Sequence, residues 1–234
     1  MRLRLPNLVA VVLKPGETFD RLRASPSWVT PFIVLGLGNI CAWWLRSRIE
    51  LRVLGAGAAE ALETEKADQF MQFLGVANAV ILGFSPLVML VGWLAAAAVL
   101  YWLTVLFKGD AKFKPVLSVT AHCWVVTLLG EYLNVLILYL KGLASVGQDG
   151  DLNVVLGLDI FLGDTDRVML SAFLGSITVF SVWYVCLMIL GMSKVVGVTK
   201  RQAAFAVIFL WLLVTGWKVM FAALETGQMP GWGG

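Results

Sequence analysis

Between Phe70 and Phe107 the chain runs for 38 residues without one charged side chain. As a continuous helix that stretch measures about 57 Å, nearly twice the hydrocarbon thickness of a bilayer. The rest of the sequence has the same character: of 234 residues 59% are apolar and 14% charged, ten are Trp, and the mean hydropathy is +0.85. An ordinary water-soluble domain is thereby excluded. Four or five spans of roughly 20 residues take up nearly half of such a chain, which leaves short connections and no room for a second, soluble domain. A net charge of +3 without any basic run gives no reason to expect nucleic acid as a partner.

Five segments have the length and polarity of membrane spans: 28–45, 86–107, 116–140, 168–191 and 203–224. The second follows from breaking the long apolar run. Ser85-Pro86, just after Gly83, is the expected helix break, because Pro removes an internal hydrogen bond and Gly is a poor helix former. A separate helix over 58–82, with Glu60, Glu63, Glu65, Lys66 and Asp68 in its first half, is then predicted to lie along the membrane surface and dip inward near Phe70. The predicted fold is all-α and polytopic, five transmembrane helices plus interfacial amphipathic helices. Residues 1–27 form a cytoplasmic amphipathic segment, 28–224 the membrane domain and 225–234 a short external tail.

Orientation follows from Lys and Arg. The N-terminal segment, the 108–115 connection and the 192–201 connection carry eleven of them, against six on the opposite side. The N-terminus is therefore expected in the cytoplasm and the C-terminus outside, although Arg46, Arg48 and Arg52 directly follow the first span. Only six apolar residues, 8–13, follow the initial Arg2 and Arg4, and no small-residue cleavage site comes after them, so the N-terminus is expected to be retained. Over 15–25, Pro15 occupies a first-turn position, Glu17 and Asp20 come early, and Phe19 and Leu22 share a face flanked by Arg21 and Arg23. This pattern fits a helix lying on the bilayer, or alternatively a soluble flap with two half-buried apolar residues.

Little here suggests catalysis. There is one His, no HExxH, no GxSxG, no phosphate-cradling glycine loop and no paired carboxylates in a cleft-like context. No cofactor and no metal are implied. Cys41, Cys123 and Cys186 lie far apart in apolar stretches and read as free thiols. Asp149-Gly-Asp151-Leu-Asn153 resembles the start of a calcium loop, but Val154 and Ile160 stand where Gly and Glu are required. The apolar run 152–162 within this acidic loop is too short to span and suits an interfacial or re-entrant segment. His122, in the third span, is expected to be a buried histidine with its hydrogen bonds satisfied.

The informative polar residues are Glu131, Asn134 and Lys218. Glu131 and Lys218 each stand 15 residues into an outward-running span, so their depths match. Thr120, Trp124, Thr127, Glu131 and Asn134 form one stripe, and Trp211, Thr215 and Lys218 another. A charge at the centre of a membrane helix costs about 2.5–3.5 kcal/mol, which favours pairing Glu131 with Lys218 if their helices adjoin; otherwise Lys218 can snorkel and Glu131 can protonate. Gly38 with Ala42, and Gly92 with Ala96, have the spacing that lets helices approach closely.

Several short motifs occur in a telling order. Lys14-Pro15-Gly-Glu-Thr18-Phe19 and Trp28-Val-Thr-Pro31 precede and open the first span, and Gly109-Asp-Ala-Lys-Phe113-Lys-Pro-Val-Leu117-Ser118-Val-Thr-Ala121 enters the third. Phe180-Ser-Val-Trp183 leads to Gly191, and Val198-Thr-Lys200-Arg201-Gln-Ala203 leads to Trp211. In this order, on a five-span layout, the chain resembles the Yip-one domain (Ypt/Rab-interacting protein) family in its short bacterial-type form. The D-L-x-G-P motif of eukaryotic members is absent, so GTPase binding is not carried over, and Thr178 stands where an Asp is expected. The resemblance implies a bacterial inner-membrane protein, non-enzymatic, acting in membrane organisation or trafficking-like processes through contacts with lipid, a membrane-protein partner or a second copy. A small transporter or lipid-handling protein using Glu131 and Lys218 is the alternative.

Overall fold

The computed structural model describes residues 7–108, 111–141, 156–162 and 167–225. The described chain is all-α. Its helices are α1 (Asn7–Leu13), α2 (Pro15–Ala24), α3 (Val29–Ala61), α4 (Thr64–Lys108), α5 (Phe113–Lys141), α6 (Val168–Gly175), α7 (Val179–Gly191) and α8 (Lys200–Glu225). A 3-10 turn covers Leu158–Phe161 and a π-helical turn Met192–Val196. Among the described residues five helices are long and apolar enough to cross a membrane: Val29–Ala61, Thr64–Phe107, Phe113–Lys141, Val179–Val196 and Lys200–Glu225. The chain is a polytopic membrane protein. The Asp149–Asn153 motif, most of the acidic loop and the tail beyond Glu225 lie outside the described residues.

Two span boundaries differ from the sequence reading. The expected helix break at Ser85-Pro86 does not end the helix, and no separate helix covers 58–82: α4 runs through Pro86 for 45 residues, about 67 Å of helix. Pro86 has no amide proton to give the carbonyl of Leu82, four residues back, but the Ser85 hydroxyl donates to that same carbonyl at 2.9 Å. The acceptor is satisfied from the side chain next door, and the helix continues. α3 likewise runs on past the end of the apolar segment to Ala61. There the Arg46 guanidinium pairs with Glu50 one turn later at 2.6 Å, and Arg48 stacks over the Trp44 ring at 4.6 Å, so the charged half is held by contacts along the helix itself.

The second difference is in the fourth span, expected as one helix over 168–191. It is broken between α6 and α7. Thr178 is extended, its hydroxyl accepts from the Ser181 amide at 2.9 Å, and the Ser181 hydroxyl accepts from the Thr178 amide at 2.9 Å. This reciprocal cap starts a new helix at Val179. The spanning length is recovered at the other end, where the π-helical turn extends the segment to Val196 before Gly197, at φ 82, closes it.

The chain divides into two compact units, Met1–Trp28 with Trp93–Thr127 and Val155–Gly234, and Val29–Gly92 with Leu128–Val154. In the first, Trp93, Ala97 and Leu100 of α4, Val116, Val119 and Val126 of α5, Met188 of α7 and Ala203, Ala206 and Val207 of α8 are buried. Trp124 stands edge-on to both Trp93 and Tyr184, with centroids 6.2 and 6.5 Å apart. Contacts of Tyr101 with Phe113 and of Phe107 with Phe205, each at 5.8 Å, gather the end of α4 and the starts of α5 and α8. The second unit is built on α3. Tyr132 and Tyr139, one heptad apart on α5, donate to the carbonyls of Gly38 and Leu45, one heptad apart on α3, at 2.9 and 3.4 Å. A Cβ on Gly38 would come within 2.7 Å of Leu128, so close approach at that glycine is real. Nothing lies within 4 Å of a Cβ placed on Gly92, and that glycine is not a packing contact.

Candidate functional site

Helix α2 carries its apolar side chains on one face because Phe19 and Leu22 are three residues apart, with Thr18 beside them. Pro15 sits in the first turn, Glu17 follows, and Arg21 and Arg23 close the helix, each placed favourably for the helix dipole. Phe19 and Leu22 are fully buried, at 0% and 1% exposure. The face expected to meet lipid is therefore covered by protein. What receives it is Gly191 at the end of α7: a Cβ there would lie 2.5 Å from Val119 Cγ1 and 2.9 Å from the Phe19 ring. A larger residue at 191 would push both neighbours away.

Polar contacts close around this apolar joint. Lys194, in the π-helical turn directly after Gly191, donates to both carboxylate oxygens of Asp20 at 2.8 and 2.9 Å and to the carbonyl of Gly16 at 3.2 Å. The Ser118 hydroxyl donates to the carbonyl of Ser27 and accepts from its amide, fixing the end of the N-terminal segment to the start of α5. Gln202 and Thr199 cap one another where α8 begins. Residues far apart in the chain, Gly16 to Asp20, Ser118 and Val119, and Gly191 to Lys194, thus form one clasp holding the N-terminal helix to the spans. Arg21, Arg23, Lys112, Lys114, Lys200 and Arg201 are exposed.

The predicted polar residues stand elsewhere. Glu131 is on an exposed side of α5, within the second unit, and Lys218 on an exposed side of α8, within the first. Asn134 is half-buried, and its amide oxygen is buried without a hydrogen-bond partner. Of the two polar stripes, Thr120 and Thr215 are buried and Trp124, Thr127 and Trp211 half-buried, so these parts face protein. His122 is buried, with Nδ1 2.8 Å from the carbonyl of Ser118. Among the described residues no group of three or more His, Cys, Asp or Glu could hold a metal ion.

The clasp draws on the segments that carry the family resemblance: Phe19 from the first motif, Ser118 and Val119 from the entry to the third span, and Gly191 at the end of the fourth. The family model for the Yip1 domain matches residues 9–220, which takes in every part of it. The chain belongs to the Yip1 domain family. This Yip1-domain protein is similar to the membrane protein YknW of Bacillus subtilis (strain 168), 23% identical over 218 residues that cover 88% of this chain and 85% of the relative. No solved structure matches. Sequence reasoning found the motif residues of the clasp but missed Asp20 with Lys194. The two are 174 positions apart, and a charged pair at that separation leaves no local pattern.

Proposed function

We propose that this Yip1-domain protein is a non-enzymatic component of a bacterial inner membrane that organises the bilayer or its proteins through lipid and partner contacts at the clasped end. In this reading the N-terminus is cytoplasmic and the C-terminus outside. One observation carries the proposal: residues from three of the motif segments, Phe19, Val119 and Gly191, meet in a packed joint. Such a joint supports positioning of α2 and the exposed cations around it, which suits anionic headgroups or an acidic partner face. Reconstitution of the full chain into vesicles of zwitterionic and anionic phospholipid tests it. The expected result is altered vesicle size together with anionic lipid retained in native mass spectra. Unaltered vesicles and a bare protein in the spectra contradict it. We propose, too, that Glu131 and Lys218 compensate one another; their equal depth along outward-running spans and the cost of a lone charge in hydrocarbon support this.

A further inference from the structure

The last carbonyls of a helix have no partner within it and must find one elsewhere. At the end of α6 these are accounted for one by one. The carbonyl of Ala172 accepts from the Ser176 hydroxyl at 3.0 Å, that of Phe173 from the Ser176 amide at 3.1 Å, and that of Leu174 from the Ile177 amide at 3.0 Å. The fourth, Gly175, faces the 3-10 turn. That turn is held against the break by the Leu158 amide, which donates to the carbonyl of Ile177 at 3.2 Å, and by a bridge between Gly157 and Thr178.

The turn brings a carboxylate to this carbonyl. The point where Gly157 lacks a Cβ lies 2.7 Å from the Gly175 oxygen and 2.9 Å from Asp159 Oδ1. The corresponding point on Gly175 lies 2.9 Å from Asp159 Oδ2. Two glycines thus leave the space that the carboxylate fills, and a side chain on either would displace it. Asp159 Oδ1 is buried and has no hydrogen-bond partner. The carboxylate also lies at the wrong end of α6, where the helix dipole already places partial negative charge. A carboxylate oxygen without a hydrogen-bond partner, a carbonyl beside it and a negative helix end together call for a positive charge. Arg167 stands at the other end of α6, eight residues and about 12 Å of helix before Gly175.

We infer that Asp159 and the carbonyl end of α6 form a binding site for a monovalent cation at the break just before the fourth span. The ligands are hard oxygens, which suit alkali cations and not the soft or borderline metals. One carboxylate balances one positive charge, and among the described residues no group of three or more His, Cys, Asp or Glu gathers to hold a divalent ion. Carbonyls at the end of a helix are well suited to this task, because they are oriented before the ion arrives. Gly157 and Gly175 act as positioning residues through the space they leave open.

The test is thermal unfolding of the full chain in nanodiscs at constant ionic strength, with sodium or potassium chloride replacing N-methyl-D-glucamine chloride. The site predicts a rise in Tm of roughly 3–5 °C with one of the two alkali ions. Asp159→Asn, which removes the charge, should lose that response and be no less stable than the unsubstituted protein in the large organic cation. Hydrogen exchange on the unsubstituted chain gives a second readout, independent of how the variant folds: the ion should slow exchange within 156–178 and not in α2 or α3. An unsubstituted protein whose Tm ignores both ions, a response kept by Asp159→Asn, or protection spread evenly over the chain would each overturn the site.

Discussion

The Ser85 hydroxyl donates to the carbonyl of Leu82 at 2.9 Å, and that carbonyl is the one from which Pro86 withholds an amide proton. This contact is why a proline inside α4 does not end the helix. Ser85→Ala should therefore cost about 1 kcal/mol, the worth of one hydrogen bond, read as a fall in thermal stability in detergent. The same change on a Pro86→Ala background should cost little, because the restored backbone amide then satisfies Leu82. Equal losses on both backgrounds would show that Ser85 acts in some other way.

At the clasp, Gly191→Ala places a methyl group against Val119 and the Phe19 ring. It should destabilise the protein by about 1–3 kcal/mol, as overpacking does. Phe19→Ala empties a fully buried site and should cost about 3–5 kcal/mol. Differential scanning fluorimetry of the two variants checks both values. Near-zero effects would mean that the ring is not held where Gly191 receives it.

The ion pair of Asp20 with Lys194 behaves differently, because the two side chains are 62% and 35% exposed. Asp20→Asn should cost less than about 1 kcal/mol, and the loss should shrink further in high salt. A large, salt-independent loss would assign Asp20 a second, uncharged role.

Most of the architecture was legible in the apolar pattern, since five long apolar segments with at most one Asp, Glu, Lys or Arg each in 234 residues allow few other folds. At two helix breaks the reading failed because of a hydroxyl. Ser85 cancels the defect that Pro86 creates, so a strong break signal gave no break. Thr178 with Ser181 forms a reciprocal cap without the Glu or Gln that usually announces one, so a real break gave no signal. The spacing of Phe19 and Leu22 revealed an apolar face on α2 but could not tell whether lipid or protein covers it, because both are apolar. Asp159 looked like one more charge in a solvated loop, since nothing in the sequence shows that Gly157 and Gly175 meet.

For Glu131 and Lys218 the proposal is a mutual dependence. Glu131→Gln and Lys218→Met should each lower stability by roughly 2–3 kcal/mol, while the double variant recovers much of that loss. Additive losses in the cycle would leave each charge accommodated by itself.

The central claim is that α2 is clasped to the membrane spans and does not float on the bilayer. Cysteines at positions 20 and 194, in a chain whose Cys41, Cys123 and Cys186 are replaced, test it directly in intact membranes with a short bifunctional thiol reagent. Asp20 and Lys194 are in direct contact at 2.8 Å, so the account predicts an efficient intramolecular cross-link that Phe19→Ala weakens. Absence of that cross-link, with position 19 instead labelled by a lipid-soluble thiol reagent when it carries a cysteine, would contradict it.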